Sequence, residues 1–124
     1  MIDAHTLKVL STAFGNGKKH DFKLFKESGL LLPSGVRADG DTGYQGIQKL
    51  HANSLIPRKK KPRQPLGGED KIFNKQVSSK RVFVEHVIGK IKVFKIVADK
   101  YRNRRKRFAL RFNLIAGIYN FQSL

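Results

Sequence analysis

Cysteine is absent from this 124-residue chain, which excludes disulfide staples and thiolate metal sites. Acid is scarce: nine Asp and Glu stand against 26 Lys and Arg, giving a formal charge of +17 and a pI near 10.6. No apolar run reaches the ~18 residues a spanning helix needs, and no basic-then-apolar leader opens the sequence. The expectation is a cytoplasmic protein with no membrane partner. No internal repeat is found, and the length suits one domain with a modest core. A charge this large repels itself in the compact state, so it points to a polyanionic partner. Nucleic acid comes first, because each phosphate neutralised by Lys or Arg releases a counterion; an anionic membrane surface comes second. Ribosomal and nucleoid proteins are equally basic, so charge alone does not separate these classes and the positions of the few acids must.

Alternation of Leu7, Val9, Ser11 and Ala13 against Lys8, Leu10, Thr12 and Phe14 predicts a strand over 6–14, closed by Gly15-Asn16-Gly17. Phe22, Leu24 and Phe25 fit a short amphipathic helix over 20–28, with Asp21 in its first turn and Gly29 after its end. Pro33-Ser34-Gly35 reads as a turn, and Val36-Arg37-Ala38 as a short strand running into Asp39-Gly40-Asp41-Thr42-Gly43-Tyr44. Residues 51–68 read as a basic, flexible loop that buries no core. It holds three of the four prolines and the run Arg58-Lys59-Lys60-Lys61-Pro62-Arg63. The run is either a solvated linker or a phosphate-binding arm, and the absence of acid between Thr42 and Gly68 favours the arm. Glu69 and Asp70 suit a helix N-terminus. A long helix is predicted over 77–98, with Val77, Val84, Val87, Ile88, Ile91 and Phe94 as its buried stripe. A second, over 105–122, is apolar on most sides and needs a large surface to pack against. Between them lies a second basic cluster containing Arg102, Arg104, Arg105, Lys106 and Arg107.

Glu85 is the one acid between Lys71 and Ala98, among seven Lys and Arg residues. Helical spacing places Arg81 and Lys92 near its face. It is either half of a surface ion pair with Arg81, worth a few tenths of a kcal/mol, or a metal-binding carboxylate in a DNA-facing groove. Asp41 shifts this balance, because an aspartate at the C-terminal end of a strand stands where open α/β sheets place ligands. Divalent Mg²⁺ takes carboxylate oxygens and keeps water positions open for phosphate. A pair of such ions ~3.5–4 Å apart serves phosphodiester chemistry. Asp39 is read as a polar turn residue.

Asp41-Thr42-Gly43-Tyr44-Gln45-Gly46 resembles the second-aspartate motif of DDE-type bacterial insertion-sequence transposases of the insertion-sequence-five family. Arg81, Glu85 and Lys92, separated by three and six residues, resemble that group's Tyr-Arg-Glu-Lys signature. Further similarity lies in Gly17-Lys18-Lys19-His20-Asp21-Phe22, in 84–90 and in 111–120, so that almost the whole chain is covered. The resemblance implies a ribonuclease-H-like α/β catalytic fold with long C-terminal helices. It makes Asp41 and Glu85 the second and third metal-binding acids, and it has Arg81 and Lys92 contact DNA or orient the acids. Mg²⁺ or Mn²⁺ would be the cofactor, and transposon-end and target DNA the partner, in a bacterial, nucleoid-associated protein. Members cut DNA at transposon ends and join the freed 3′-hydroxyl to a target phosphodiester.

Two departures follow. Ser78 stands where the signature has tyrosine, keeping a hydroxyl without the ring. The first catalytic aspartate has no counterpart: only one convincing strand fits between Asp3 and Asp41, and Asp21 falls on a helix, so neither is assigned. A catalytic domain truncated before its first strand leaves open sheet edges and an incomplete core. The chain is therefore expected to be inactive and to fold poorly alone. The partners expected are an upstream-frame transposase segment supplying that strand, or a homo-oligomer. The rival readings are a basic nucleic-acid-binding protein without chemistry and an RNA-binding protein of ribosomal type.

Overall fold

The computed structural model describes residues 1–98 and 107–123. They form two compact units. One joins Met1–Phe14 to Arg81–Leu124, and the other is Gly15–Lys80. Both helices and strands are present, with one small sheet.

In the unit Gly15–Lys80, helix α1 (Asp21–Glu27) has an acid in its first turn and ends into Gly29, whose φ of 64° is the left-handed conformation a helix C-terminus favours. The turn at Pro33 is closed by Val36 N–H donating to the Pro33 carbonyl at 2.9 Å. Strand β1 (Ala38–Asp39) follows it and pairs in parallel with β2 (Ser54–Leu55). A parallel pair needs a crossover of about a dozen residues. Here two 3-10 turns make it, Thr42–Tyr44 and Ile47–Lys49. Ile47, His51, Ile56 and Val77 of this unit are buried. The stretch 51–68, expected to bury nothing, thus supplies both a strand and core residues. His51 is admitted to the interior because Nε2 donates to the Val36 carbonyl at 2.6 Å.

The run expected as one helix over 77–98 is three: α2 (Gly68–Ser79), α3 (Arg81–Lys92) and α4 (Lys95–Ala98). At the first break the Ser79 hydroxyl donates to the Gln76 carbonyl at 2.8 Å, the kind of local bond by which serine competes with helical backbone. The break coincides with the boundary between the two units.

In the other unit, α3, α4 and α5 (Phe108–Gln122) pack with the N-terminal segment around Val87, Ile91, Ile115 and Tyr119. Val84 and Ile88, expected in the buried stripe, are exposed. The strand expected over 6–14 is instead one arm of a tight hairpin. Leu7 has φ 58°, which no strand residue adopts, and the chain reverses there to set Val9 against Ile2. Val9 finds its second partner in a side chain. Its N–H donates to Asn120 Oδ1, and its carbonyl accepts from Asn120 Nδ2, both at 2.8 Å.

Candidate functional site

Asp41 lies two residues past the C-terminal end of β1 and caps the Thr42–Tyr44 turn. Its Oδ1 accepts the Gly43 N–H at 2.7 Å, which fixes the carboxylate against the turn. That contact accounts for the glycine: a Cβ at 43 would stand 2.9 Å from Asp41 Oδ1. The motif's last glycine has a different cause, since Gly46 has φ 92°, open to glycine but costly for other residues. Tyr44 packs edge-on against Phe22 and Phe25 of α1, with ring centroids 6.4 and 6.2 Å away. Burial, then the charges of Asp21 and Asp41, push its phenol above the ordinary tyrosine range. Gln45 extends the motif outward by donating from Nε2 to the Pro57 carbonyl at 3.0 Å.

The neighbouring acids are occupied elsewhere. Asp39 takes the Arg37 guanidinium at 2.9 and 3.2 Å and lies 3.5 Å from Lys80 Nζ. Asp3 accepts the N–H groups of His5 and Thr6, each at 2.8 Å, and these bonds hold its carboxyl below the usual range, Thr6 contributing most. Asp39, expected in a turn, stands at the end of β1, and Asp3 caps the turn that follows it.

Glu85 is exposed on α3, one turn after Arg81 and two before Lys92. Among the described residues it forms no ion pair, so the surface pairing with Arg81 that its spacing allows is not made. Asp41 and Glu85 fall in different units. Among the described residues no group of three His or carboxylate side chains is placed to hold a metal ion. The two acids nevertheless offer hard oxygen donors, the chemistry Mg²⁺ and Mn²⁺ take.

The basic run divides in two. Lys59, Lys60, Lys61 and Arg63 are exposed, and among the described residues none has an ion-pair partner. Arg58 differs: its guanidinium pairs with Asp70 and lies 4.9 Å from the Phe73 ring centroid, while its N–H and C=O are both bonded by the Asn74 amide at 2.7 and 2.9 Å. The sequence placed Asp70 at a helix N-terminus and Gln45 in the aspartate motif but foretold neither one's bond to 57–58, and it gave no signal for Phe73 or Asn74. Of the second cluster, Arg102, Arg104, Arg105 and Lys106 lie outside the described residues, and Arg107 is exposed just before α5.

Residues 3–120 match the family model described as DDE superfamily endonuclease. The chain is also 43% identical over 122 residues to a probable transposase for insertion sequence element IS702 from Microchaete diplosiphon. The alignment covers 98% of this chain and 44% of that relative, so the chain spans less than half its relative's length. No solved structure matches. The chain belongs to the DDE superfamily endonucleases. No helix among the described residues is long and apolar enough to cross a membrane.

Proposed function

We propose that the chain is the C-terminal part of a transposase catalytic domain of ribonuclease-H-like fold, with Asp41 and Glu85 as its second and third acids. The observation that carries this reading is the Asp41 turn: a carboxylate held by Gly43 N–H just beyond a strand of a parallel pair, where α/β folds bind ligands. Mg²⁺ is commonly held by one or two protein carboxylates with substrate phosphates completing its shell, and these two acids fit that role. Bound there, the metal would activate the attacking oxygen and stabilise the leaving one. Arg81 and Lys92, on the face of α3 that carries Glu85, neutralise phosphates beside it, and DNA is the substrate.

On this reading no carboxylate of the chain is assigned as the first acid, and the chain by itself is expected to be inactive. An upstream segment of the catalytic domain would supply that acid and cover Leu110, Leu114 and Phe121, which α5 leaves exposed. The test is strand cleavage of transposon-end duplex in Mn²⁺, with and without the upstream segment added in trans. Cleavage is expected only from the mixture, and Asp41→Asn or Glu85→Gln should abolish it. Metal-dependent nicking by the chain alone would refute its inactivity. Cleavage by the mixture that survives both substitutions would remove the two acids from the site. The second reading, a DNA-binding module without chemistry, draws on the exposed Lys59, Lys60, Lys61 and Arg63. It expects no cleavage from the mixture and DNA binding indifferent to both substitutions.

A further inference from the structure

The exposed basic run is built as a projection with a fixed root. At its tip the Gln64 N–H donates to the Lys61 carbonyl at 3.2 Å across Pro62 and Arg63, with Arg63 at φ 65°. Proline followed by a residue of positive φ is the pattern of a tight type II turn, whose second central position ordinarily takes glycine. An arginine is kept there instead. At its root the backbone is gripped from both sides: Gln45 holds the Pro57 carbonyl, and the Asn74 amide closes two bonds on Arg58. Asp70 and Phe73 take the Arg58 guanidinium, so this one cation of the run is directed back onto α2 while the next four face solvent.

We propose that Lys59, Lys60, Lys61 and Arg63 form a preorganised site for the phosphodiester backbone of duplex DNA. Arg58 and Asn74 are its positioning residues and make no phosphate contact. The inference deepens the DNA-binding part of the reading above and rests on it. Four cations within five residues, none with an ion-pair partner among the described residues, and no acid from Thr42 to Gly68, present one sign of charge to a phosphate track. Fixing the root lowers the ordering cost that a flexible arm would incur on binding. Through Gln45 the same root is bonded to the motif that carries Asp41, so the projection is set at a defined place relative to that carboxylate. Contacts to phosphate carry no sequence information, so the site orients DNA rather than selecting it.

The test is fluorescence anisotropy of the full chain on a labelled DNA duplex across a KCl series. Each phosphate contact contributes about 0.9 to the slope of log affinity against log salt. Replacing Lys59, Lys60 and Lys61 by Gln should lower that slope by roughly 2 to 3, with an unchanged far-UV spectrum because all three side chains are exposed. Asn74→Ala leaves the net charge at its original value yet should also lower the slope. A residue with a purely structural role would shift the melting temperature and leave the slope alone. Arg58→Lys keeps the charge but loses the planar fork and ring stacking, so it should behave like Asn74→Ala. If Arg58 were itself a phosphate contact, lysine would largely substitute for it. A steep wild-type slope that the triple Gln variant leaves intact would overturn this site and spare the broader DNA-binding reading. Salt-insensitive or absent wild-type binding would overturn both. Tighter binding to an RNA duplex of equal length would overturn the assignment to DNA.

Discussion

A Cβ on Gly43 cannot coexist with the present Asp41 rotamer, because it would meet Oδ1 at 2.9 Å. Gly43→Ala therefore forces the carboxylate off the Gly43 N–H, a charge-assisted bond worth about 1.5–3 kcal/mol. Chemical denaturation should show a loss of about that size. In an Asp41→Ala background the obstacle and the bond are both gone, so adding Gly43→Ala should be neutral or slightly stabilising. Additive losses in this double-mutant cycle would show that the two residues act independently. Tyr44 gives a second residue-scale test. Its phenol is pushed up by burial and by Asp21 and Asp41, so the unfolded chain ionises first as pH rises. The stabilisation is complete below the unfolded value of about 10 and is lost as pH climbs through the folded one. Tyr44→Phe should flatten the alkaline limb of the stability profile. The Asp41–Gly46 motif was legible as a string of letters. Its internal logic was not: periodicity and composition say nothing about a side chain folding back on an N–H two residues later.

Among the elements, those set by local chemistry were legible, and those set by distant partners were not. The helix at Asp21–Glu27 and the acidic start of α2 follow from amphipathic spacing and first-turn charge. The segment 6–14 alternates as a strand should, but Leu7 turns back. The neighbour that pairs with Val9 is a side-chain amide from 111 residues away. Tyr119 adds a bond from its hydroxyl to the Leu7 carbonyl at 3.1 Å. The Tyr119-Asn120 tail of the family resemblance thus does a structural job, holding the N-terminal hairpin. Asn120→Asp is the sharp probe, since an ionised carboxylate can accept from the Val9 N–H but cannot donate to its carbonyl. We expect a cost of about 1–3 kcal/mol, with faster hydrogen exchange confined first to the hairpin amides near Val9. Exchange that quickens equally in α3 and α5 would mean the hairpin is inseparable from the helical core.

At the scale of the whole molecule, helix α5 carries two apolar stripes and satisfies one. Phe112, Ile115 and Tyr119 face the core with Val87 and Ile91, while Leu110, Leu114 and Phe121 are 71%, 64% and 75% exposed at four- and seven-residue spacing. The sequence made the excess apolar content of this helix plain; it could not say which side would be left uncovered. A contiguous exposed apolar stripe marks an interaction surface. The chain spans 44% of its relative, and the proposed occupant is the upstream part of the catalytic domain. In the chain alone, replacing Leu110, Leu114 and Phe121 by Gln should change stability by no more than about 0.5 kcal/mol each and should reduce binding of an apolar dye. Ile91→Ala, which empties a buried position, should cost about 2–5 kcal/mol. With the upstream segment added the ranking changes: the dye signal falls for the unmodified chain, and the triple Gln variant now loses affinity for the segment more than tenfold. A triple variant that unfolds the chain by itself would show that the stripe is already packed. One that still binds the upstream segment as tightly as the unmodified chain would place the contact elsewhere. Loss of a concentration-dependent dimer in the triple variant, with affinity for the segment unaltered, would assign the stripe to a second copy of this chain.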